Sequence, residues 1–117
     1  MYADTDFFMA LLKSSDWLKQ NALKVLEVYK KNITISEATF IELMLISNKY
    51  KLDPIEVTSN VMALTNTYDQ IYLKAALFIK KGVNVFDAFH AAHAATEIIS
   101  SDSVFDKLGL KRVKLEE

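Results

Sequence analysis

The chain has 117 residues, 51% of them hydrophobic and 25% charged, which is enough apolar material for one core and an ordinary charged fraction for a globular protein. It has no cysteine, which excludes disulfides and thiolate zinc sites, and its net charge of −1 carries no electrostatic signature of nucleic-acid binding. The longest apolar run, Phe7 to Leu12, falls far short of the ~20 residues that span a bilayer, and the opening MYADTDFF lacks a basic leader region, so a cytoplasmic protein with no membrane anchor is expected.

Taken in chain order, residues 1–3 read as the end of a short strand and Phe7 to Lys13 as a short helix. From Asp16 to Lys31, Leu18, Ala22, Val25, Leu26 and Tyr29 fall on one helical face, with Lys19, Glu27, Lys30 and Lys31 away from it. Ser14 or Ser15 can cap that helix. Ile33-Thr34-Ile35 is a short β-branched strand, and Ser36 can cap a helix from Glu37 to about Lys49. Asp53-Pro54-Ile55-Glu56 has the form of a helix start, with a capping acid, proline in the first turn and Glu three residues after the cap. That helix runs to about Leu64. Another spans about Asp69 to Lys81 and ends at Gly82. Val83 to Phe86 reads as a link, Asp87 to Thr96 as an Ala-rich helix, Glu97 to Ser100 as a strand, Ser103 to Leu108 as a helical turn stopped by Gly109, and Arg112 to Leu115 as a last strand. Trp17, Tyr29 and the phenylalanines at helical spacing read as core. Helices interleaved with short apolar strands predict an α/β fold with a mostly parallel sheet, in one domain over residues 1–117.

The acids are the chemically suggestive residues, and each has an ordinary structural explanation. Asp4 and Asp6 suit a turn or a helix cap. Glu42 lies within Phe40-Ile41-Glu42-Leu43-Met44-Leu45-Ile46. It is either a buried carboxylate needing a cation or part of a narrow wet stripe shared with Lys49, two turns on, and periodicity does not separate these. Asp87 is the third residue after a possible Asn84 cap, or itself a cap. Asp102 can cap the helical turn that follows it, and Asp106 can be a solvated helix residue. His90 and His93, three apart, carry a weak metal signal without a third histidine or a cysteine. There is no Gly-rich phosphate loop and no nucleophile elbow.

Four segments together resemble the PIN-domain nucleases, in particular the toxin half of VapBC-type toxin–antitoxin pairs. Tyr2-Ala3-Asp4-Thr5-Asp6 looks like the motif that ends the family's first strand. Ile35 to Leu43 looks like the segment carrying the metal-site Glu. Val85 to Ala94 looks like the Asp-Ala-x-x-Ala helix, and Ile98 to Asp106 like the Ser/Thr-x-Asp-x-x-Phe ending. The resemblance implies a three-layer α/β/α sandwich with a short, mostly parallel central sheet. It implies an endoribonuclease in which Asp4, Glu42, Asp87 and Asp102 converge to bind Mg²⁺ or Mn²⁺, with Asp6, Ser100 and Asp106 supporting them from outside. It also implies a single-stranded RNA substrate, a homodimer and a small antitoxin partner. Neutralising four acids by metal would take the net charge from −1 to +3, with Lys107, Lys111, Arg112 and Lys114 the densest basic stretch. Two departures stand out: only three residues precede Asp4, and Arg112 is the only arginine. Competing readings are a PIN-like module that binds RNA or protein without cutting, an RNA-processing nuclease that is not a toxin, and a phosphatase-like fold using Asp4-Thr5-Asp6. A receiver-like fold fits less well, for want of a strand-end lysine.

Overall fold

The computed structural model describes residues 1–117 as α1 (Thr5–Leu12), α2 (Lys19–Tyr29), α3 (Glu37–Lys49), α4 (Pro54–Thr65), α5 (Gln70–Lys80), α6 (Val85–Ala94), β1 (Glu97–Ser100) and β2 (Lys111–Lys114), with 3-10 turns at Lys30–Asn32 and Ser103–Leu108. Side-chain caps set most of the helix starts. Asp53 accepts from the Ile55 amide at 2.9 Å ahead of Pro54, and Asp69 from the Ile71 amide at 3.0 Å. The Lys80 ammonium lies 3.1 Å from Asp53, tying the end of α5 to the start of α4 and holding the Asp53 carboxyl below its usual range.

Three helix starts differ from the sequence reading, each for a local reason. Asp4 accepts from the Thr5 amide and starts α1 two residues before Phe7. Asp16 accepts from the Leu18 amide at 2.9 Å, which holds residues 16–18 in a turn and delays α2 to Lys19. Asn84 accepts from the Phe86 amide at 2.9 Å, so α6 begins at Val85 and the expected link over 83–86 shrinks. Ser36 precedes α3 without capping it; its hydroxyl pairs instead with the Tyr2 phenol at 2.7 Å.

Strand pairing is parallel throughout. β1 pairs with β2 in the register Glu97↔Lys111 to Ser100↔Lys114. Residues 1–3 and 33–35 meet at one parallel bridge, Tyr2↔Thr34, with Ala3 N–H donating to the Thr34 carbonyl at 3.0 Å. The expected sheet is therefore present as two separate parallel pieces in a helix-dominated α/β fold. β2 begins and ends one residue earlier than read from the sequence.

The main core joins Phe8 and Met9 of α1, Phe40, Leu43 and Met44 of α3, Val57 and Val61 of α4, Ala75 and Ala76 of α5, and Ala88, Phe89 and Ala92 of α6. Alanines on the facing sides of α5 and α6 let the two helices approach closely. A smaller cluster, Ala91, Phe105 and Leu110, seats the β1–β2 layer on the other side of α6. Gly109 takes φ +79° at the end of the second 3-10 turn, a conformation that favours glycine. α2 is the exception to the core pattern. Only Ala22 is buried along it, and Trp17 is 88% exposed rather than in the core; Tyr29, at its end, and Phe86 of α6 are exposed as well. No helix is long and apolar enough to cross a membrane.

Candidate active site

Asp4 and Glu42 reach the same open cavity from different elements. Asp4 sits at the N-cap of α1, directly after the bridged residues 1–3, so the strand end and the helix start fix its backbone together. One carboxylate oxygen accepts from the Thr5 amide at 2.6 Å. Glu42 lies in the second turn of α3 and is exposed, on the same stripe as Ile46 and Lys49, two turns along. The wet-stripe reading of Glu42 is therefore the observed one, and the stripe faces the cavity. The cavity measures about 470 Å³ and is lined by Asp4, Asp6 and Glu42 together with Thr5, Lys49 and Tyr50.

Two further features surround Asp4. The Tyr2 phenol bonds Ser36 Oγ at 2.7 Å and Thr39 Oγ1 at 3.2 Å, and these bonds pull it below its ordinary pKa. Burial and then the charges of Asp4 and Glu42 push the other way, so both acids act on the same phenol. Thr5, 5% exposed and lining the cavity beside Asp4, has a buried hydroxyl with no hydrogen-bond partner. A buried hydroxyl in a folded protein ordinarily has one.

Asp87 and Asp102 lie outside this cavity. Asp87 is half-buried in the first turn of α6, where its amide donates to Asn84 Oδ1 at 3.4 Å. Asp102 is exposed and caps the second 3-10 turn through the Val104 amide at 2.9 Å, while its own amide donates to Ser100 Oγ at 2.9 Å. Asp106 is held by Arg112, whose Nε and Nη2 donate to its two oxygens at 3.0 and 3.1 Å. Arg112 also donates to Glu116 and to the Ser100 carbonyl, and its side chain is only 4% exposed. This clamp holds the Asp106 carboxyl below the usual carboxylate range. No three Asp, Glu or His side chains cluster as one metal-binding group. His93, read as a weak metal candidate, instead pairs with Glu37 of α3 at 2.5 Å. Lys13, Asp16 and Tyr50 also line the cavity and were not singled out from the sequence; the Glu42–Lys49 spacing along α3 was the available pointer to that wall.

The sequence signature of the PIN domain matches residues 1–111, nearly the whole chain. The chain belongs to the PIN-domain family. PIN domains are generally nucleases and typically use divalent metal ions. The parallel strand pairs and surrounding helices agree with a PIN-like α/β fold. Comparison with curated proteins and with solved structures returned no significant match. The residues of the PIN cavity suit a hard divalent cation in kind. They offer carboxylate oxygens from Asp4, Asp6 and Glu42 and the unpartnered Thr5 hydroxyl, with no sulfur donor in the chain.

Proposed function

We propose that this PIN-domain protein is a Mg²⁺- or Mn²⁺-dependent endoribonuclease, with Asp4 and Glu42 at the heart of its site. The observation that carries the reading is their shared cavity beside the orphaned Thr5 hydroxyl, within a chain matching the PIN signature over residues 1–111. A bound divalent ion would offset charge on the phosphodiester and activate a water. Asp4, Glu42 and the Thr5 hydroxyl would hold the ion. Asp87 and Asp102 enter the proposed carboxylate set on the sequence resemblance alone, with Ser100, Asp6 and Asp106 as outer contacts. A labelled single-stranded RNA should be cut with Mn²⁺ and left intact with EDTA, and a chromogenic phosphate monoester should not be hydrolysed. Monoesterase activity without RNA cleavage would favour the phosphatase reading.

The second reading is a PIN-like module that binds RNA or protein without cutting. It is favoured by one observation, the placement of Asp87 and Asp102 outside the cavity.

The proposed biological role is that of a cytoplasmic VapC-type toxin, homodimeric and restrained by a small antitoxin. Support comes from the apolar surface near Asp4. Met1, Tyr2, Phe7, Val25 and Tyr29 line a groove of about 200 Å³ that includes Asp4. Trp17, just ahead of α2, and Val28 within it are further exposed apolar side chains, at 88% and 73%. An inhibitor covering this groove would reach the acids directly, and a basic side chain would suit them. Expression of the protein alone should arrest growth and Asp4→Asn should not, while light scattering should give the mass of a dimer. Equal growth of both cultures would remove the case for a toxin and leave an RNA-processing nuclease.

A further inference from the structure

The cavity that holds Asp4 and Glu42 has a second wall of opposite character. Lys13, at the end of α1, and Lys49, in the last turn of α3, converge on the ring of Tyr50. The Lys13 ammonium lies 4.3 Å from the ring centroid and that of Lys49 5.8 Å. All three side chains line the acid-bearing cavity. Lys49 forms no ion pair, and the one formed by Lys13, to Asp16, is 3.9 Å long. The Tyr50 backbone is pinned by its amide donating to the Ile46 carbonyl at 3.0 Å, and the residue stays 47% exposed. The segment carrying Lys13 is fixed as well, because Lys19 donates to the Lys13 carbonyl at 2.9 Å and Asp16 closes the turn to Leu18.

Such a wall answers an electrostatic problem. Asp4, Asp6, Asp16 and Glu42 outnumber Lys13 and Lys49 around the cavity, so a polyanion is repelled until a divalent ion is present. Two ammoniums beside an exposed aromatic ring offer what a single strand needs: cations for successive phosphates and, once a phosphate draws the Lys13 ammonium off the ring, a π-face for an unpaired base. A base in a duplex is already stacked and leaves the ring unused. We infer that Lys13, Lys49 and Tyr50 form the substrate-binding subsite for single-stranded RNA, the lysines gripping the backbone and Tyr50 stacking a base next to the scissile phosphate. The inference rests on the nuclease reading above and adds to it the residues that hold the strand.

The test uses the full chain carrying Glu42→Gln, so that the strand stays intact, with a short fluorescein-labelled single-stranded RNA, Mn²⁺ and a salt series read by anisotropy. Lys13→Ala and Lys49→Ala should each flatten the slope of log K against log salt by about 0.7. Tyr50→Ala should weaken binding about tenfold, and Tyr50→Phe, which keeps the π-face, should bind as the parent does. Thermal melts confirm that each variant is folded. Unchanged slopes in both lysine variants, or equal losses in Tyr50→Ala and Tyr50→Phe, overturn the inference. If the protein with Glu42 intact still cuts RNA in Mn²⁺, the nuclease reading survives that result. If it neither binds nor cuts the strand, both fall.

Discussion

Asp4→Asn and Glu42→Gln are each expected to slow Mn²⁺-dependent RNA cleavage by ~10³-fold without unfolding the protein. A metal's stabilisation of charge in the transition state is worth several kcal/mol, and each ~1.36 kcal/mol is tenfold in rate. Both substitutions remove a charge while nearly keeping shape. Asn is as good an N-cap as Asp, so the bond from the Thr5 amide that starts α1 is retained. Glu42 is exposed on α3, and Gln suits a helix as well as Glu does. Asp6→Asn and Asp106→Asn should cost less, the latter because Asp106 is engaged by Arg112. Asp87→Asn decides the extent of the site. A loss matching that of Asp4→Asn would show that Asp87 acts in the reaction despite lying outside the cavity. A neutral result would confine the essential acids to the Asp4–Glu42 wall. Wild-type cleavage by the Asp4→Asn/Glu42→Gln double variant would defeat the nuclease assignment at this cavity.

Helices whose start is written in two or three adjacent residues were legible in the sequence. Asp53-Pro54 fixes α4 to the residue, because a capping acid followed by proline leaves the chain little alternative. Gly82 marks the end of α5 equally well, taking φ +98° just after the helix. Misreadings fell where a polar side chain turns back on the backbone. Asp16 and Asn84 each accept a nearby amide, moving a helix start by two or three residues with no change in hydrophobic period. Trp17 lies outside the core for a related reason: it falls inside the turn made by Asp16, ahead of the first residue of α2.

The acids were legible as residue types, but only the family resemblance grouped them, and the cavity brings together two of the four it named, Asp4 and Glu42. Asp4 and Glu42 line one cavity because the Tyr2↔Thr34 bridge brings the chain's start alongside the segment leading into α3, a pairing of distant residues that no local pattern encodes. The Tyr2 phenol fastens that junction to Ser36 and Thr39. Asp102 is held by a cap within its own turn, which is the ordinary explanation the sequence already offered for it. Lys13 and Tyr50 were overlooked because neither belongs to a motif. Their meaning comes only from α1 packing beside α3, which sets an ammonium over a ring.

Phe40→Ala is expected to be among the most destabilising single substitutions in this chain, costing about 3–5 kcal/mol. Phe40 is 1% exposed and stacks on Tyr72 of α5 with centroids 4.1 Å apart and planes 11° apart. Tyr72 in turn meets Phe89 of α6 at 6.5 Å, so one aromatic row joins α3, α5 and α6. Burial, and then the nearby Glu37 carboxylate, raise the Tyr72 phenol above its ordinary pKa. Truncation at Phe40 removes the ring from the end of the row that lies on the helix bearing Glu42. Against a total stability of about 5–15 kcal/mol, that loss is enough to lower Tm by more than ~10 °C. Urea denaturation followed by circular dichroism gives the measurement, and an unchanged m-value would assign the effect to the folded state. Phe40→Leu should recover part of the loss by filling some of the cavity. The contrast with Glu42→Gln, two residues on, separates packing from chemistry. Glu42→Gln should keep Tm and lose cleavage, whereas Phe40→Ala should lose cleavage only as the protein unfolds, with activity returning on cooling below its lowered Tm.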